Sequence, residues 1–347
     1  MSDILYVDNS TLSATSCSTE ALMRYGHGYT SADERAYLKA GTSGHAAVAC
    51  WFRGGTKDEA LDVFANGSWC NCSDDGVTPE HFNPECPKCA GTGRHNDGYQ
   101  AWADDNVLPD NRLSFLNTSR IVDYWLDKHP LAVFPFKIDP SLVEIGFAFP
   151  LTDEGDIVFC GRIDGLVTMN GVYYVLENKF PGAIKPDYVR QFQVGSQLSG
   201  YQWAAAQHTN LPVVGSLINA VEFSKLPSSD RNCKMHAVPY IECGHLHAKW
   251  ELLGPVDRTP EALVEWRKTA INLARRYQDL LRRFPHVEQI HKARMQGMFF
   301  NRCQFCAFFD WCKTGRRQDL IPSLLVHQPW FPFNYSKGLV EATAHKP

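Results

Sequence analysis

Asp164, Glu177 and Lys179 are the residues of this 347-residue chain whose types and spacing point most directly to chemistry. Carboxylates that face one another repel and raise each other's pKa unless a cation lies between them. Carboxylate oxygens that face one another suit Mg²⁺ or Mn²⁺ as ligands. A lysine beside them can hold a phosphate or an attacking water. The three residues therefore indicate a divalent-metal site, provided that the fold brings them together.

A predicted β-hairpin brings the two acids together. Its turn is Asn170-Gly171, because both central positions of a two-residue type I′ turn need positive φ. Met169 and Val172 then form the first cross-strand pair. Asp164 and Glu177 each lie five residues further from the turn, so we expect them directly opposite one another, with Cβ atoms about 5 Å apart. The lysine, two residues past Glu177, is expected on the same face.

Helices are predicted on either side of this hairpin. Apolar spacing and capping residues favour helices over 32–52, 113–128, 188–207 and 260–283, and strands over 143–149, 157–169, 172–180 and 213–223, with a further strand pair across 235–252. This order predicts an α/β fold, a mixed sheet flanked by helices. We expect one domain over 1–320, a cysteine-rich insert over 66–100, and a tail over 321–347 that covers the domain or binds a partner.

Charge and composition narrow the class of protein. The net charge is −4, yet residues 261–317 hold twelve Lys/Arg against five Asp/Glu. This local basic face either meets phosphate or is the solvated side of an amphipathic helix. No apolar run approaches the roughly 20 residues of a membrane span, and the N-terminus lacks signal-peptide features. We therefore expect a cytoplasmic protein with no membrane contact.

Twelve cysteines in a reducing compartment favour metal ligation over disulfides. Cys303, Cys306 and Cys312 form a C-x2-C-x5-C pattern that needs a distant fourth thiolate. Cys17 is the best candidate, and Cys50 is the alternative. A [4Fe–4S] cluster is favoured, because aromatic residues within the motif would shield it, and zinc is the competing occupant.

The insert contains a second cysteine set. Its Cys-Pro-x-Cys-x-Gly-x-Gly half resembles half of a chaperone zinc knuckle, and tetrahedral Zn²⁺ is its expected occupant. The four ligands are predicted to be Cys70, Cys72, Cys86 and Cys89, with His81 or His95 as a replacement for one of them. A zinc-bound insert would form a rigid flap able to touch DNA or a partner.

The ordered set of motifs resembles the RecB-like branch of the PD-(D/E)XK nuclease superfamily. Gln197 and Tyr201 share one face of a predicted helix, at i and i+4. They follow the hairpin in the order that the resemblance requires. The motifs are Gly41 to His45, Gly161-Arg-Ile-Asp164-Gly165, Glu177-Asn178-Lys179, and Gln197 to Tyr201.

The resemblance implies a restriction-endonuclease-like fold and a role for each motif residue. A divalent metal would be bound by His45, Asp164, Glu177 and the main-chain carbonyl of Asn178. Lys179 would orient or activate the attacking water, and Gln197 and Tyr201 would position the scissile strand or the lysine. AddB-type and CRISPR-adaptation-type nucleases are similar in the late cysteine motif. Their pattern implies a cluster held by Cys17, Cys303, Cys306 and Cys312 that joins the ends of the domain.

Three functions remain open at this level. The first is a Mg²⁺- or Mn²⁺-dependent deoxyribonuclease, an exonuclease acting on DNA ends or single strands in recombination, repair or phage DNA processing. Since no Gly-x-x-x-x-Gly-Lys-Ser/Thr motif is present, any unwinding would come from a helicase or recombination partner. The second is a catalytically silent DNA-binding or scaffold protein on the same fold. The third is an iron–sulfur redox protein, which would leave the hairpin unexplained.

Overall fold

The computed structural model describes residues 4–32, 36–68, 94–95, 98–105, 111–208, 212–224, 232–233, 236–239, 249–300 and 303–330. Within these ranges, none of the helices combines the length and the apolar character needed to cross a membrane. The strands of the main sheet are β1 (Leu5–Val7), β3 (Lys137–Pro150), β4 (Ile157–Met169), β5 (Val172–Lys179), β6 (Val213–Val221) and β7 (Trp250–Val256), and β2 (Tyr29–Ser31) pairs with β8 (Leu325–His327) separately.

Helices cover both faces of the main sheet. They are α1 (Asn9–Ala14), α2 (Ser18–Ala21), α3 (Ala36–Phe52), α4 (Lys57–Asn66), α5 (Gln100–Asp105), α6 (Phe115–Lys128), α7 (Arg190–Gln193), α8 (Ser196–His208), α9 (Pro260–Arg283), α10 (Phe309–Lys313) and α11 (Ile321–Leu324). One apolar core lies between the sheet and α1, α8 and α9. The other lies between the sheet and α3, α4 and α6. The expected mixed sheet flanked by helices is therefore confirmed.

The long strand β4 organises the sheet. Strand β3 runs antiparallel along one edge of it. Two strands share the other edge. Strand β1 runs parallel to β4 as far as the Val7–Phe159 pair. Strand β5 runs antiparallel to β4 from the Gly165–Leu176 pair. Residues 160–164 lie between these two ladders. A fork therefore opens beside β4 where β1 and β5 diverge.

The hairpin register is confirmed at its turn and modified at its open end. Met169 pairs with Val172, and Asn170 and Gly171 have φ of 54° and 81°, as a type I′ turn requires. The ladder ends at Gly165–Leu176. The expected facing of Asp164 and Glu177 therefore falls one position beyond the last rung, where β5 leaves β4.

The predicted helix over 188–207 is two helices, α7 and α8. The helix is interrupted at Val194-Gly195, where the Gly195 N–H donates to the Phe192 carbonyl instead of continuing the helical pattern. Helix α9 is confirmed with its predicted start, since the Thr259 side chain caps the Ala262 N–H and Pro260 is the first helical residue. The structure adds strand β2 between helices α2 and α3, where the sequence analysis predicted no strand.

Four of the twelve basic residues in 261–317 form ion pairs with acids among the residues that the structure describes. The pairs are Arg267–Asp153, Arg275–Asp156, Arg283–Asp279 and Arg317–Asp319. They are largely exposed and contribute little to stability. For the three arginines on α9, Arg267, Arg275 and Arg283, the solvated helix face is the better description.

Candidate active site

A cavity of about 260 Å³ occupies the fork beside β4. Its walls come from the residues after β1, the stretch of β4 between the β1 and β5 ladders, helix α8 and the end of the described tail. The lining residues are Asp8, Asn9, Ser10, Cys160, Gly161, Arg162, Asp164, Gln197, Tyr201 and Trp330. The sequence motifs on β4 and α8 thus meet in one place.

Strand β5 and helix α8 present a connected hydrogen-bond network. The Lys179 ammonium donates to Glu177 Oε1 and lies 3.4 Å from Gln197 Oε1. Gln197 Nε2 donates to Glu177 Oε1 at 2.9 Å and to the Tyr201 hydroxyl at 3.3 Å. The expected sharing of a face by Glu177 and Lys179, and by Gln197 and Tyr201, is confirmed.

Asp164 is held from two sides. Its Oδ2 accepts a hydrogen bond from the Asn178 N–H at 2.7 Å and lies 3.1 Å from His45 Nδ1. The histidine arrives because α3 packs closely on the end of β5. A Cβ at Gly44 would lie 2.7 Å from the Phe180 ring, so glycine is required at that helix position. The structure therefore brings His45, at the end of the looser Gly41 motif, to the acid.

Glu144 is a site residue that the sequence analysis missed. Its carboxylate, His45 and Asp164 offer ligand atoms that all lie within 4.8 Å of one another. Glu144 lies on β3 just past a register irregularity between Ile138 and Val143, and its φ of 58° is left-handed. Such φ values are uncommon outside glycine and often occur at functional sites. Because of this irregularity, the alternation of side chains along the strand does not predict on which face Glu144 lies.

Arg162 on β4 forms a cross-strand ion pair with Glu144 on β3. Its Nε lies 2.5 Å from Glu144 Oε2, and the arginine side chain is 46% exposed while that of Glu144 is 8% exposed. The same arginine lines the cavity. It therefore neutralises one buried acid of the site and presents positive charge at the opening.

Burial and mutual repulsion shape the electrostatics of the acids. Burial, followed by the Asp164 charge, raises the pKa of Glu177 to about 7. Burial would also raise the pKa of Asp164, but the His45 charge and hydrogen bonds from His45 and Asn178 outweigh it and lower that pKa. Burial alone would lower the pKa of Lys179. The charge of Glu177 and its hydrogen bond with the ammonium together outweigh burial and raise that pKa, so Lys179 carries a full positive charge. Burial raises the pKa of Glu144, against the opposing charge of Arg162.

The donor set fits a hard divalent cation. Glu177 Oε1 is occupied by Lys179 and Gln197, but Glu177 Oε2 is buried and has no hydrogen-bond partner. A buried carboxylate oxygen without a partner is costly unless a ligand satisfies it. Carboxylate oxygens are the ligands expected for Mg²⁺ or Mn²⁺. The residues that could hold an ion together are His45, Glu144 and Asp164, and Glu177 offers its partnerless oxygen as a further ligand.

A buried amide chain lies behind the metal-binding strand. The Asn178 side-chain oxygen accepts from Asn219 Nδ2 at 2.8 Å, and Asn219 Oδ1 accepts from Trp250 Nε1 at 2.5 Å. Both asparagines are buried. The chain links β5, β6 and β7 and orients residue 178, whose N–H holds Asp164.

Asn219→Ala is expected to destabilise the protein by about 2–4 kcal/mol. The change leaves two buried groups, Asn178 Oδ1 and Trp250 Nε1, without their partners, and each such group costs roughly 1–3 kcal/mol. Urea unfolding followed by circular dichroism measures the effect. Trp250→Phe, which removes only one of the two bonds, should give a smaller loss, and equal stability of Asn219→Ala and the parent contradicts the expectation.

The structure brings the three late cysteines to Cys17. A Cβ at Gly297 would lie 3.6 Å from the sulfur atoms of both Cys17 and Cys303. Burial raises the pKa of Cys312 to about 12, and negative charge on Cys306, Cys17 and Cys303 contributes to that rise. Cys50 is elsewhere, since a Cβ at Gly55 would contact its sulfur.

The four sulfurs are not arranged as tightly as one metal ion requires. Tetrahedral zinc with bonds of about 2.3 Å places its sulfur ligands about 3.8 Å apart. In the described part of the chain, no three of these sulfurs lie within 4.8 Å of one another, unlike the His45–Glu144–Asp164 group.

Hydrogen bonds join the two ends of the domain around these cysteines. The Thr19 N–H donates to the Arg294 carbonyl at 3.2 Å, and the Ser18 N–H donates to Gln296 Oε1 at 3.0 Å. The Arg316 guanidinium donates to the Ala293 carbonyl at 2.6 Å and to Thr19 Oγ1 at 3.2 Å. The four predicted insert ligands, Cys70, Cys72, Cys86 and Cys89, lie outside the described residues.

The family model of the PD-(D/E)XK nuclease superfamily matches residues 12–313 of the chain. The chain therefore belongs to this superfamily. Membership defines the class as a nuclease, a hydrolase that uses divalent metal and takes DNA as substrate. No curated protein matches the chain significantly. The matched range includes the hairpin, helix α8 and all four clustered cysteines, but not the residues from 314 onward.

Proposed function

We propose that the protein is a Mg²⁺- or Mn²⁺-dependent deoxyribonuclease that acts as an exonuclease on DNA ends or single strands. The observation that carries the proposal is the hydrogen-bond network of Lys179, Glu177 and Gln197, which adjoins the cavity that Asp164 and Gln197 line. A silent scaffold would have no need for a buried, partnerless carboxylate oxygen on Glu177.

Each residue has a role that its surroundings support. His45, Glu144, Asp164 and Glu177, with the main-chain carbonyl of Asn178, would hold the metal. When bound, the metal supplies Lewis-acid polarisation of the phosphoryl group and a lower pKa for water. Lys179 keeps its proton because Glu177 raises its pKa, so it acts as a donor that orients water or a phosphoryl oxygen. Gln197 and Tyr201 hold the lysine and the scissile strand in place.

A cleavage assay on end-labelled linear, closed circular and single-stranded DNA tests the proposal. We expect degradation of linear and single-stranded DNA in Mg²⁺ or Mn²⁺, none in excess chelator, and little cleavage of closed circles. Tight binding with no cleavage in either metal would favour the scaffold, and rapid cleavage of closed circles would indicate an endonuclease.

Glu144→Gln is expected to weaken Mn²⁺ binding about 10- to 100-fold, the usual loss when a metal-site partner is changed. Glu144 belongs to the only described group of three potential ligand residues with this spacing. Isothermal titration calorimetry measures the affinity, and exposed Glu154→Gln is the matched control.

Arg162→Met separates the two interactions of Glu144. It removes the ion pair while keeping the carboxylate, so Mn²⁺ affinity should be retained or increased. Unchanged Mn²⁺ affinity in Glu144→Gln would show that Glu144 only neutralises Arg162.

The two cysteine sets have structural roles in the proposal. Cys17, Cys303, Cys306 and Cys312 would hold a [4Fe–4S] cluster that joins the chain ends, with zinc as the alternative occupant. Cys70, Cys72, Cys86 and Cys89 would hold Zn²⁺ in the 66–100 insert of a nuclease domain that spans 1–320. Elemental analysis of the parent and of an insert-deleted chain assigns each metal to its set.

The biological setting is part of the same proposal. Twelve cysteines used mainly as metal ligands rather than in disulfides fit a reducing, cytoplasmic environment. An exonuclease without its own helicase motif would act with a helicase or recombination partner, in recombination, repair or phage DNA processing. Stimulation of duplex degradation by a helicase added in trans would support this setting.

A further inference from the structure

The tail beyond the matched family range reaches the catalytic cavity. Strand β8 pairs antiparallel with β2, and the Gln328 N–H donates to the Gly28 carbonyl at 2.6 Å. Gly28 has a φ of +69°, and a Cβ there would lie 2.8 Å from Pro329 Cα. Trp330 then packs edge-to-face on Tyr25, with ring centroids 5.2 Å apart. The indole is therefore anchored through backbone pairing and ring contact.

Trp330 and Asp164 line the same cavity. Asn9 lines it as well, and its side-chain oxygen Oδ1 is buried without a hydrogen-bond partner. Arg162 supplies positive charge on the same wall as Asp164. One small cavity thus combines an aromatic ring, a buried acceptor, a cation and a catalytic acid.

These groups match the parts of one nucleotide. A nucleobase has a flat face that stacks on an indole, cytosine and adenine carry an amino group that needs an acceptor, and the phosphate needs a cation. We propose that this cavity is a binding site for a single unpaired nucleotide next to the scissile phosphate, with its base stacked on Trp330 and its edge facing Asn9. This inference rests on the proposed nuclease function and names the substrate of that site.

The size of the cavity favours an unpaired nucleotide over a duplex. A base within a duplex is stacked on both faces and would have to leave the helix to meet an indole, at a cost of a few kcal/mol. A single strand meets no such cost. The cavity, of about 260 Å³, is small beside a base pair stacked between its neighbours. The site therefore selects single-stranded DNA or a frayed end.

Asp8 is the acid in this cavity that phosphate must avoid. Its Oδ1 accepts from the Thr11 N–H at 2.6 Å and from Thr11 Oγ1 at 2.7 Å, so this carboxylate caps helix α1. The phosphate is expected beside Arg162, and the base beside Asn9. This division places the base against Trp330.

Trp330→Ala is expected to weaken single-stranded DNA binding roughly 5- to 150-fold, the range for losing one base–aromatic stack. Fluorescence anisotropy of labelled oligonucleotides measures it in the full chain with Lys179→Ala added to prevent turnover. Trp330→Phe should bind within about threefold of the parent because it keeps a stacking ring. Tyr37→Ala, an exposed aromatic outside the cavity, should bind like the parent, and blunt duplex binding should not change.

An abasic site moved along the oligonucleotide separates stacking from structural damage. At one position the missing base should weaken binding to the parent about as much as Trp330→Ala does, and should add nothing to that variant. A Trp330→Ala loss that persists at every abasic position, or no loss at all, overturns the inference. Absence of both DNA binding by the parent and cleavage by the wild type would instead overturn the proposed function.

Asn9 is tested through base preference. Cytosine offers an amino donor and thymine does not, so the parent should bind oligo-dC about 2- to 10-fold more tightly than oligo-dT, the range for one net hydrogen bond. Asn9→Ala should remove this preference while retaining the Trp330 effect. Equal binding of the two oligonucleotides by the parent would remove Asn9 from the site.

Discussion

Lys179→Ala is expected to lower the rate of DNA cleavage by at least about 10³-fold while the protein stays folded and still binds metal. A positioned proton donor or acceptor contributes typically 10²–10⁴-fold to a rate. The Lys179 ammonium is fixed by Glu177 and Gln197, so no neighbouring side chain is placed to substitute for it. Single-turnover cleavage of an end-labelled strand measures the rate.

The metal distinguishes Lys179 from the acids. Lysine is a cation at this site and cannot be a ligand, so Lys179→Ala should bind Mn²⁺ like the parent, whereas Asp164→Asn should lose both Mn²⁺ binding and cleavage. Lys137→Ala, an exposed lysine at the start of β3, is the matched control. Cleavage by Lys179→Ala within tenfold of the wild-type rate would falsify the assigned role.

Cys306→Ala is expected to abolish the iron content and the visible thiolate–iron absorbance, and to lower the thermal midpoint by roughly 10 °C or more. The proposed cluster would connect Cys17 to Cys303, and closing a loop longer than 100 residues is worth at least about 4.7 kcal/mol in the chain-entropy model. For large domains each kcal/mol shifts the midpoint by about 2–4 °C. Differential scanning calorimetry and iron analysis measure the two effects.

Cys50→Ala is the matched control for the cluster, because Cys50 is free and lies away from the other sulfurs. It should keep the iron and the absorbance, whereas Cys17→Ala should lose both. Zinc without visible absorbance in the parent would contradict the iron–sulfur assignment but leave the joining of the chain ends intact. Normal iron content in Cys17→Ala would contradict the fourth ligand.

The hairpin shows how much of the site geometry the local sequence predicts. Asn170-Gly171 defined the turn, and period-two alternation then placed Glu177 and Lys179 on one face, as the structure has them. The same count predicted a rung between Asp164 and Glu177, which the ladder does not reach. The reason is long-range, since β1 takes over the edge of β4 that β5 leaves.

The sequence pattern did not predict contacts between residues that are far apart in the chain and close only in the folded structure. Glu144 reaches the site through a strand irregularity and a left-handed φ, neither of which alternation encodes. Trp330 reaches the cavity because β8 pairs with β2, across about 300 residues of chain. The choice of Cys17 over Cys50 likewise depends on which helix packs beside Gly297.

The sequence by itself therefore determined the short-range features. These are the turn, the helix caps, the i and i+4 pair of Gln197 and Tyr201, and the spacing of the late cysteines. These features depend on backbone geometry over a few residues, which residue type controls directly. The fold alone decided that α3 carries His45 to Asp164, that β3 adds Glu144, and that the tail adds Trp330. Those contacts depend on the packing of distant elements, because burial of apolar faces sets their position and no local pattern records it.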